Sequence, residues 1–180
     1  MSADALTRLA ALLREEGGLL ATLVDGDGSG AHGGEDGERP GAIVARGPRA
    51  EGRSEEYELL VEAIYEGYLL HYGLPRVVRS PEPDLRVLAG DQLYAIGLAR
   101  LVKLGDAAAV AELADTITLA ALAQSAGEQA LARSVWSAGA RAVGWGCSEA
   151  HRQAKELVFA GAPEAVEAMR TSAAGPAAPR

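Results

Sequence analysis

Apolar residues recur along most of this chain at the three- and four-residue spacing of α-helices. The pattern predicts helices over residues 3–15, 54–72, 84–104, 107–124, 127–143 and 148–160, and a short helix after Pro163. Gly73 and Pro75 follow the second of these segments and are expected to end it. No run alternates apolar and polar positions for long enough to predict a sheet, so we expect an all-α helical bundle.

Residues 25–53 interrupt the helical pattern. This segment is rich in glycine, charged and small residues and has no apolar period to bury, so it is predicted to be a flexible linker. The expected organisation is therefore an N-terminal helical segment at 1–24, the linker, a helical domain at 54–170 and a disordered tail at 171–180. The length of 180 residues fits one domain with tails.

Composition mainly excludes classes of function. The chain has 17 Lys and Arg against 25 Asp and Glu, a net charge of −8, which argues against nucleic-acid binding through basic patches. Its single cysteine, Cys147, excludes an internal disulfide and a zinc cluster built from cysteines. Charges near the N-terminus do not fit a signal peptide, and the longest uncharged apolar stretch is too short for a bilayer. We therefore expect a cytoplasmic protein without a membrane span.

The helix predicted at 54–72 carries an unusual set of side chains. Helical spacing places four glutamates on one narrow face: Glu55, Glu58, Glu62 and Glu66. A neighbouring stripe is mostly tyrosine, and the remaining side is apolar. On spacing alone, the glutamates are interpreted as a solvated face and the tyrosines as the border of the core.

The order of short motifs over residues 54–130 resembles the trans-isoprenyl diphosphate synthases, an all-helical family. Glu62 and Glu66 fall where the first aspartate-rich motif of that family has its first and last aspartates. The run from Leu88 to Ala95 is similar to the family's Leu-x-Gly-Asp-x-Leu-x-Ala helix. The positions that match the scaffold motifs of the family are Gly73, Pro75, Gly90, Asp91, Gly127 and Glu128.

The departures from the family pattern bear on activity. In that family the aspartates hold Mg²⁺ ions that neutralise the leaving diphosphate. Here Ala63 removes the middle carboxylate, and His71 and Tyr72 replace two arginines that would grip the diphosphate. No aspartate follows Asp115, so the second aspartate-rich motif has no counterpart. The resemblance thus implies a degenerate diphosphate or metal position at Glu62, Glu66, His71 and Arg76.

The resemblance therefore implies a non-catalytic subunit or regulator, similar to the small component of heptaprenyl diphosphate synthase, that pairs with an active polyprenyl diphosphate synthase. It implies no catalytic residue and no cofactor for this chain alone. One alternative is an active prenyl transferase that uses Mg²⁺ at Glu62 and Glu66. The other is a helical interaction protein unrelated to isoprenoids, and self-association is the alternative to a synthase partner.

Three further positions are interpreted structurally. His71 is expected to complement the dipole at the end of its helix, and Asp91 is expected to be a buried acid that accepts from a helix or backbone donor. His151 lies one turn from Cys147, a spacing that can activate a thiolate, but the sequence shows no oxyanion donor or third residue, so a catalytic cysteine is not expected. The alanine-rich helix at 107–126 is expected either to pack closely or to leave an apolar slot for a hydrocarbon.

Overall fold

The computed structural model of the protein describes residues 4–24, 38–79 and 82–175. The helices in these ranges are α1 (Ala5–Glu16), α2 (Gly18–Leu23), α3 (Pro40–Ala45), α4 (Ser54–Tyr72), α5 (Pro83–Lys103), α6 (Ala107–Ser125), α7 (Gln129–Trp145), α8 (Glu149–Phe159) and α9 (Ala165–Ala174). Over the same ranges, β pairing is limited to an isolated bridge between Val24 and Val78. The predicted all-α fold class is therefore confirmed.

Helix α4 is the centre of the bundle. It packs against α1, α3 and α5, and its tyrosines reach the rest of the molecule. The ring of Tyr65 meets Trp136 of α7 edge-on at a centroid distance of 4.9 Å, and the hydroxyl of Tyr68 accepts a hydrogen bond from Gln124 of α6. Because α4 is covered on most sides, two of its glutamates, Glu62 and Glu66, lie in the interior with its apolar residues.

Glycine allows α5 to approach α4 closely. A Cβ at Gly67 would lie 2.9 Å from the carbonyl oxygen of Gly90, and one at Gly97 would lie 3.1 Å from the carbonyl oxygen of Leu60. Later residues of α5 therefore contact earlier residues of α4, so the two helices run antiparallel. The helices that carry the two main motifs of the sequence lie side by side.

The N-terminal helix belongs to the core. Leu9 and Leu13 of α1 are fully buried, and they share an apolar cluster with Ala63 and Leu70 of α4. The second cluster lies between α4, α6, α7 and α9, around residues such as Leu113, Trp136 and Met169. The two clusters cover different sides of α4, which is why this helix has no continuous solvent-facing stripe.

The prediction of a flexible linker is wrong for the part of residues 25–53 that the structure describes. Residues 40–45 form α3, a 3-10 turn follows at Pro48–Ala50, and Val44 is fully buried. Glycine here serves close packing instead of flexibility: Gly47 lies so near Gly144 of α7 that a side chain at position 47 would overlap its backbone. Residues 25–37 lie outside the described ranges.

The predicted helix ends differ from the observed ones by a few residues. The helix expected at 127–143 continues as α7 through Gly144 to Trp145, because Gly144 packs against α3. Helix α9 reaches Ala174 and so includes the start of the tail predicted at 171–180. Residues 176–180 of that tail lie outside the described ranges.

Among the described residues, α6 is the one helix with the length and composition of a membrane-crossing segment. Core helices often share these properties. Two of its acidic side chains, Glu112 and Asp115, both pair with Lys155 of α8. These contacts with α8 hold α6 within the bundle, so its length and composition do not clearly indicate a membrane span.

Candidate functional site

Two glutamates of α4 lie in the interior of the protein. Glu62 and Glu66 are one helical turn apart, and 0% of either residue is exposed. The interpretation of these two side chains as part of a solvated face is therefore wrong, whereas Glu55 at the start of the helix is exposed. Buried carboxylates require donors or opposite charges, and both come from segments outside α4.

The chain segment that follows α4 binds Glu66. The Oε1 atom of Glu66 accepts hydrogen bonds from the backbone N–H groups of Arg76, Val77 and Val78, at 2.7, 2.7 and 3.2 Å. Its Oε2 atom accepts a hydrogen bond from Nε of Arg76 at 3.2 Å. One carboxylate thus fixes the backbone of three successive residues.

Glu62 is contacted from two other directions. Its Oε1 accepts the backbone N–H of Gly41 in α3 at 2.8 Å, and its Oε2 lies 2.7 Å from Nη1 of Arg76. A Cβ at position 41 would lie 2.6 Å from Cγ of Glu62, so this approach of α3 requires glycine. The guanidinium of Arg76 therefore bridges both glutamates.

The side chain of Arg76 is 13% exposed. Burial alone lowers the pKa of its guanidinium, but the charges and hydrogen bonds of Glu62 and Glu66 outweigh burial and hold this pKa above its usual value. The guanidinium also lies over the ring of Tyr65, 5.1 Å from the ring centroid. Arg76 therefore stays charged, and the carboxylates keep an internal counter-ion.

This arrangement limits what the two glutamates can do chemically. Mg²⁺ demands octahedral geometry and usually keeps several of its waters. Here the oxygens of Glu62 and Glu66 already face Arg76, Gly41 and the backbone of residues 76–78, and both residues are closed to solvent. The arrangement is that of an interior ion cluster that joins α3, α4 and residues 76–78.

His71, which was grouped with these residues in the sequence, contacts a different set. Its ring stacks on Tyr94 of α5 at a centroid distance of 5.3 Å, and its Nε2 lies 3.2 Å from Oδ1 of Asp91. The side chain of Asp91 is 65% exposed, so the prediction of a buried acid is wrong. Gly90 faces α4 in the helix contact, and this places the neighbouring Asp91 at the margin of the contact.

The remaining scaffold positions lie at the ends of helices. Gly73 ends α4 and Pro75 follows it. Gly127 has a φ of 76° in the turn after α6, a backbone region that favours glycine. The N–H of Glu128 donates to the carbonyl of Ala123 at 2.8 Å and closes the same turn.

A second polar cluster, which the sequence analysis did not identify as a unit, lies between α6, α8 and α9. Nε2 of His151 is 2.6 Å from Oε1 of Glu112, and Nδ1 is 2.8 Å from Oγ of Ser172. Lys155 donates to Oε2 of Glu112 at 3.0 Å and to Asp115 at 2.8 Å. The available sequence signal was the pair of acids Glu112 and Asp115 within a largely apolar helix.

The electrostatics of this second cluster follow from its contacts. Burial alone raises the pKa of Glu112, but its contacts with His151 and Lys155 outweigh burial and hold that pKa below its usual value. Burial and the nearby charge of Glu112 raise the pKa of the Cys147 thiol. A thiol with a raised pKa is a weak nucleophile at neutral pH.

Comparisons of the chain with protein-family models, with curated proteins and with solved structures found no match.

Proposed function

We propose that this protein is a non-catalytic helical subunit or regulator that pairs with an active polyprenyl diphosphate synthase. Two things support the proposal: the resemblance of its motifs over residues 54–130 to that family, and the state of the two motif glutamates. The proposal that the protein is non-catalytic rests on one observation: Glu62 and Glu66 both form ion pairs with Arg76. Carboxylates that already have an internal cation and backbone donors are poor ligands for Mg²⁺.

The free-energy cost of placing Mg²⁺ at Glu62 and Glu66 also argues against the alternative of an active transferase. A magnesium ion at Glu62 and Glu66 would have to displace the guanidinium of Arg76 and enter a region closed to water. Separating one partner of a buried ion cluster from the others typically costs about 3–5 kcal/mol. The ion would also give up most of its hydration waters, which Mg²⁺ does reluctantly.

The packing of α4 against α5, the two helices that carry the motifs, is a further point in support of the proposal. The motif glutamates lie on α4 and the Gly90-Asp91 pair lies on α5, and these helices are antiparallel neighbours. Gly90 packs directly against Gly67 and His71 of α4. The motifs thus lie on adjacent helices of one bundle, and this proximity supports the proposal.

A partner also needs a surface. One face of α5 is exposed and carries Leu88, Ala95, Ala99 and Val102 at helical spacing, with the exposed acid Asp91 among them. Leu88 is 57% exposed and Val102 is 61% exposed. Exposed apolar patches on soluble proteins often mark interaction sites, so we assign this outer face of α5 to the synthase partner.

The decisive experiment compares turnover by the protein alone with turnover in a mixture. The purified protein is incubated with farnesyl and isopentenyl diphosphates and Mg²⁺, with and without a catalytic synthase subunit that has intact aspartate motifs. We expect no elongated product from the protein alone, and a change in rate or product length when the synthase is present. Elongation by the protein alone would establish the active-transferase alternative.

A surface variant tests the partner interface. Val102→Glu should weaken capture of the synthase subunit at least tenfold, because it replaces an exposed apolar side chain by a charge that would lose its hydration in the interface. Ala130→Glu, on the exposed first turn of α7, is the matched control and should leave capture unchanged. If neither the wild-type protein nor the control binds a synthase, the interaction protein unrelated to isoprenoids becomes the better reading.

A further inference from the structure

Three side chains with metal-ligating atoms converge near the start of α8. They are Glu112 of α6, Cys147 in the turn before α8 and His151 in the first turn of α8. One carboxylate oxygen, the sulfur and one ring nitrogen all lie within 4.8 Å of one another. Glu112 and His151 are buried, whereas Cys147 is exposed to solvent. An ion therefore has a route of entry on the side of Cys147.

We propose that Glu112, Cys147 and His151 bind a divalent metal ion of the zinc class. Sulfur, imidazole and carboxylate are the ligand types that Zn²⁺ uses, with bonds of about 2.3 Å to sulfur and about 2.0–2.2 Å to nitrogen and oxygen. Ligands of a tetrahedral ion at these bond lengths lie roughly 3.3–3.8 Å apart. Small side-chain movements reach that spacing: the sulfur moves inward, and the close contact between Glu112 and His151 widens.

The neighbours of the imidazole favour this role. In metal sites, the ring nitrogen that does not bind the ion usually donates its hydrogen to an oxygen, which fixes the ring and the tautomer. Here Nδ1 of His151 is 2.8 Å from Oγ of Ser172, so Nδ1–H can donate to that oxygen. On metal binding, Nε2 would give up its 2.6 Å contact with Oε1 of Glu112 and bind the ion through its lone pair. Ser172 is therefore a positioning residue for the site.

The charges of the cluster also suit a divalent ion. On binding, the Cys147 thiol releases its proton to solvent, so a thiolate and the Glu112 carboxylate together neutralise the two charges of the ion. Lys155 contacts the other oxygen of Glu112, and its own charge is balanced by Asp115. Oε1 of Glu112 can thus bind the ion while Oε2 keeps its contact with Lys155.

A catalytic serine is a poorer reading of the same residues. Ser172, His151 and Glu112 form a serine, histidine and acid chain, but Ser172 is only 9% exposed and lies within α9. A substrate would have to separate α8 from α9 to reach its hydroxyl. A metal ion that enters beside Cys147 needs no such separation, and three protein ligands leave its fourth position open to water.

Metal titration of the full-length, reduced and metal-free protein tests the proposal. We expect calorimetry to show one Zn²⁺ per chain with no change in oligomeric state, and Co²⁺ to give a sulfur-to-cobalt charge-transfer absorption. Cys147→Ser should abolish that absorption and lower Zn²⁺ affinity at least tenfold. Because Cys147 is exposed and outside a helix, this variant should remain folded, which circular dichroism checks.

Two further variants test whether Ser172 orients the ring of His151 for metal binding or contributes only to folding. Ser172→Ala should lower affinity for Zn²⁺ by about tenfold, the usual effect of losing a group that orients a ligand, while the charge-transfer absorption remains. Glu167→Gln, in an exposed ion pair of α9, is the matched control and should bind as the wild type does. The proposal is overturned if wild type and Cys147→Ser bind Zn²⁺ equally, or if the ion binds only between two chains.

Discussion

Arg76 lies in a segment without regular secondary structure, yet it is the only cation that the structure places between the two buried glutamates of α4 among the residues it describes. Its guanidinium approaches Glu62 at 2.7 Å and Glu66 at 3.2 Å. A buried charge that loses its partner is much more costly than a surface charge that does so. The arginine therefore has a larger effect on stability than its place in the chain indicates.

Replacing this arginine by a neutral residue tests its role. Arg76→Met should lower the free energy of unfolding by about 3–5 kcal/mol, because it leaves two buried carboxylates without a cation. Chemical denaturation followed by circular dichroism measures the change. Arg170→Met, which removes an exposed ion pair with Glu167, is the control and should change stability by less than about 0.5 kcal/mol.

The same cluster offers a rescue experiment. In a triple variant with Glu62→Gln and Glu66→Gln added to Arg76→Met, all three charges of this cluster are removed. Part of the lost stability should return, since replacing all charges of a buried cluster is often close to neutral. A triple variant less stable than Arg76→Met alone would contradict this account of the cluster.

The burial of Glu62 and Glu66 could not be predicted from the sequence. Helical spacing correctly places Glu62 and Glu66 on one face, but spacing does not show what covers that face. The partners of the glutamates, Gly41 and residues 76–78, come from segments with no apolar period. Asp91 illustrates the same limit, since its exposure depends on how α5 crosses α4 and not on its own helix.

At the scale of helices, the contact between α4 and α5 depends on glycine. Gly67→Ala should lower the free energy of unfolding by at least about 1 kcal/mol, although alanine is the better helix former. The reason is that its Cβ would lie 2.9 Å from the carbonyl oxygen of Gly90. Thermal and denaturant unfolding measure the effect. Ala99→Ser, on the exposed face of α5, is the control, and a stabilising Gly67→Ala would show that the helices separate easily.

The start of α6 is held by Asp106. Its carboxylate accepts hydrogen bonds from the N–H of Ala109 at 3.0 Å, the hydroxyl of Tyr57 at 2.7 Å and Nη2 of Arg49 at 3.1 Å. Burial alone raises the pKa of Asp106, but these three donors outweigh burial and hold the pKa below its ordinary value of 3.8. The ionised carboxylate thus joins α6 to α4 and to the turn after α3.

This depressed pKa gives a pH-dependent prediction. A carboxyl group whose pKa is lower in the folded state stabilises the protein above its unfolded pKa, and this contribution is lost as the pH falls through the folded value. Asp106→Asn should therefore cost about 1–2 kcal/mol at neutral pH. The difference from wild type should shrink below pH 3.8. Denaturant unfolding of both proteins across this range measures it, and a constant difference would contradict the assignment.

At the scale of the whole molecule, α4 separates two apolar clusters, and the N-terminal helix supplies much of the first. Leu9→Ala should lower the free energy of unfolding by about 2–5 kcal/mol, because Leu9 is fully buried and its loss leaves a cavity. Leu122→Ala is the control: Leu122 is 42% exposed on α6, and its effect should be much smaller. Equal effects would mean that α1 is only loosely attached.

Much of this architecture follows from the sequence. The 3.6-residue period gives the fold class and the long helices to within a few residues, because each buries a continuous apolar stripe. The period does not reveal α3, which is less than two turns long and packs through glycines that otherwise indicate a loop. Nor does it reveal the cluster of Glu112, His151 and Ser172, whose members are distant in sequence and meet only through tertiary packing.

The three backbone hydrogen bonds that end on one oxygen of Glu66 have a consequence for local motion. Val77 and Val78 are only 2% and 3% exposed, whereas nearby Leu74 is 79% exposed. In deuterium exchange, the amide hydrogens of residues 76–78 should therefore be protected as strongly as those in the middle of α4, and that of Leu74 should exchange quickly. Residues 76–78 lie outside any helix or strand, yet we expect their amides to open to solvent as rarely as those of the central helix.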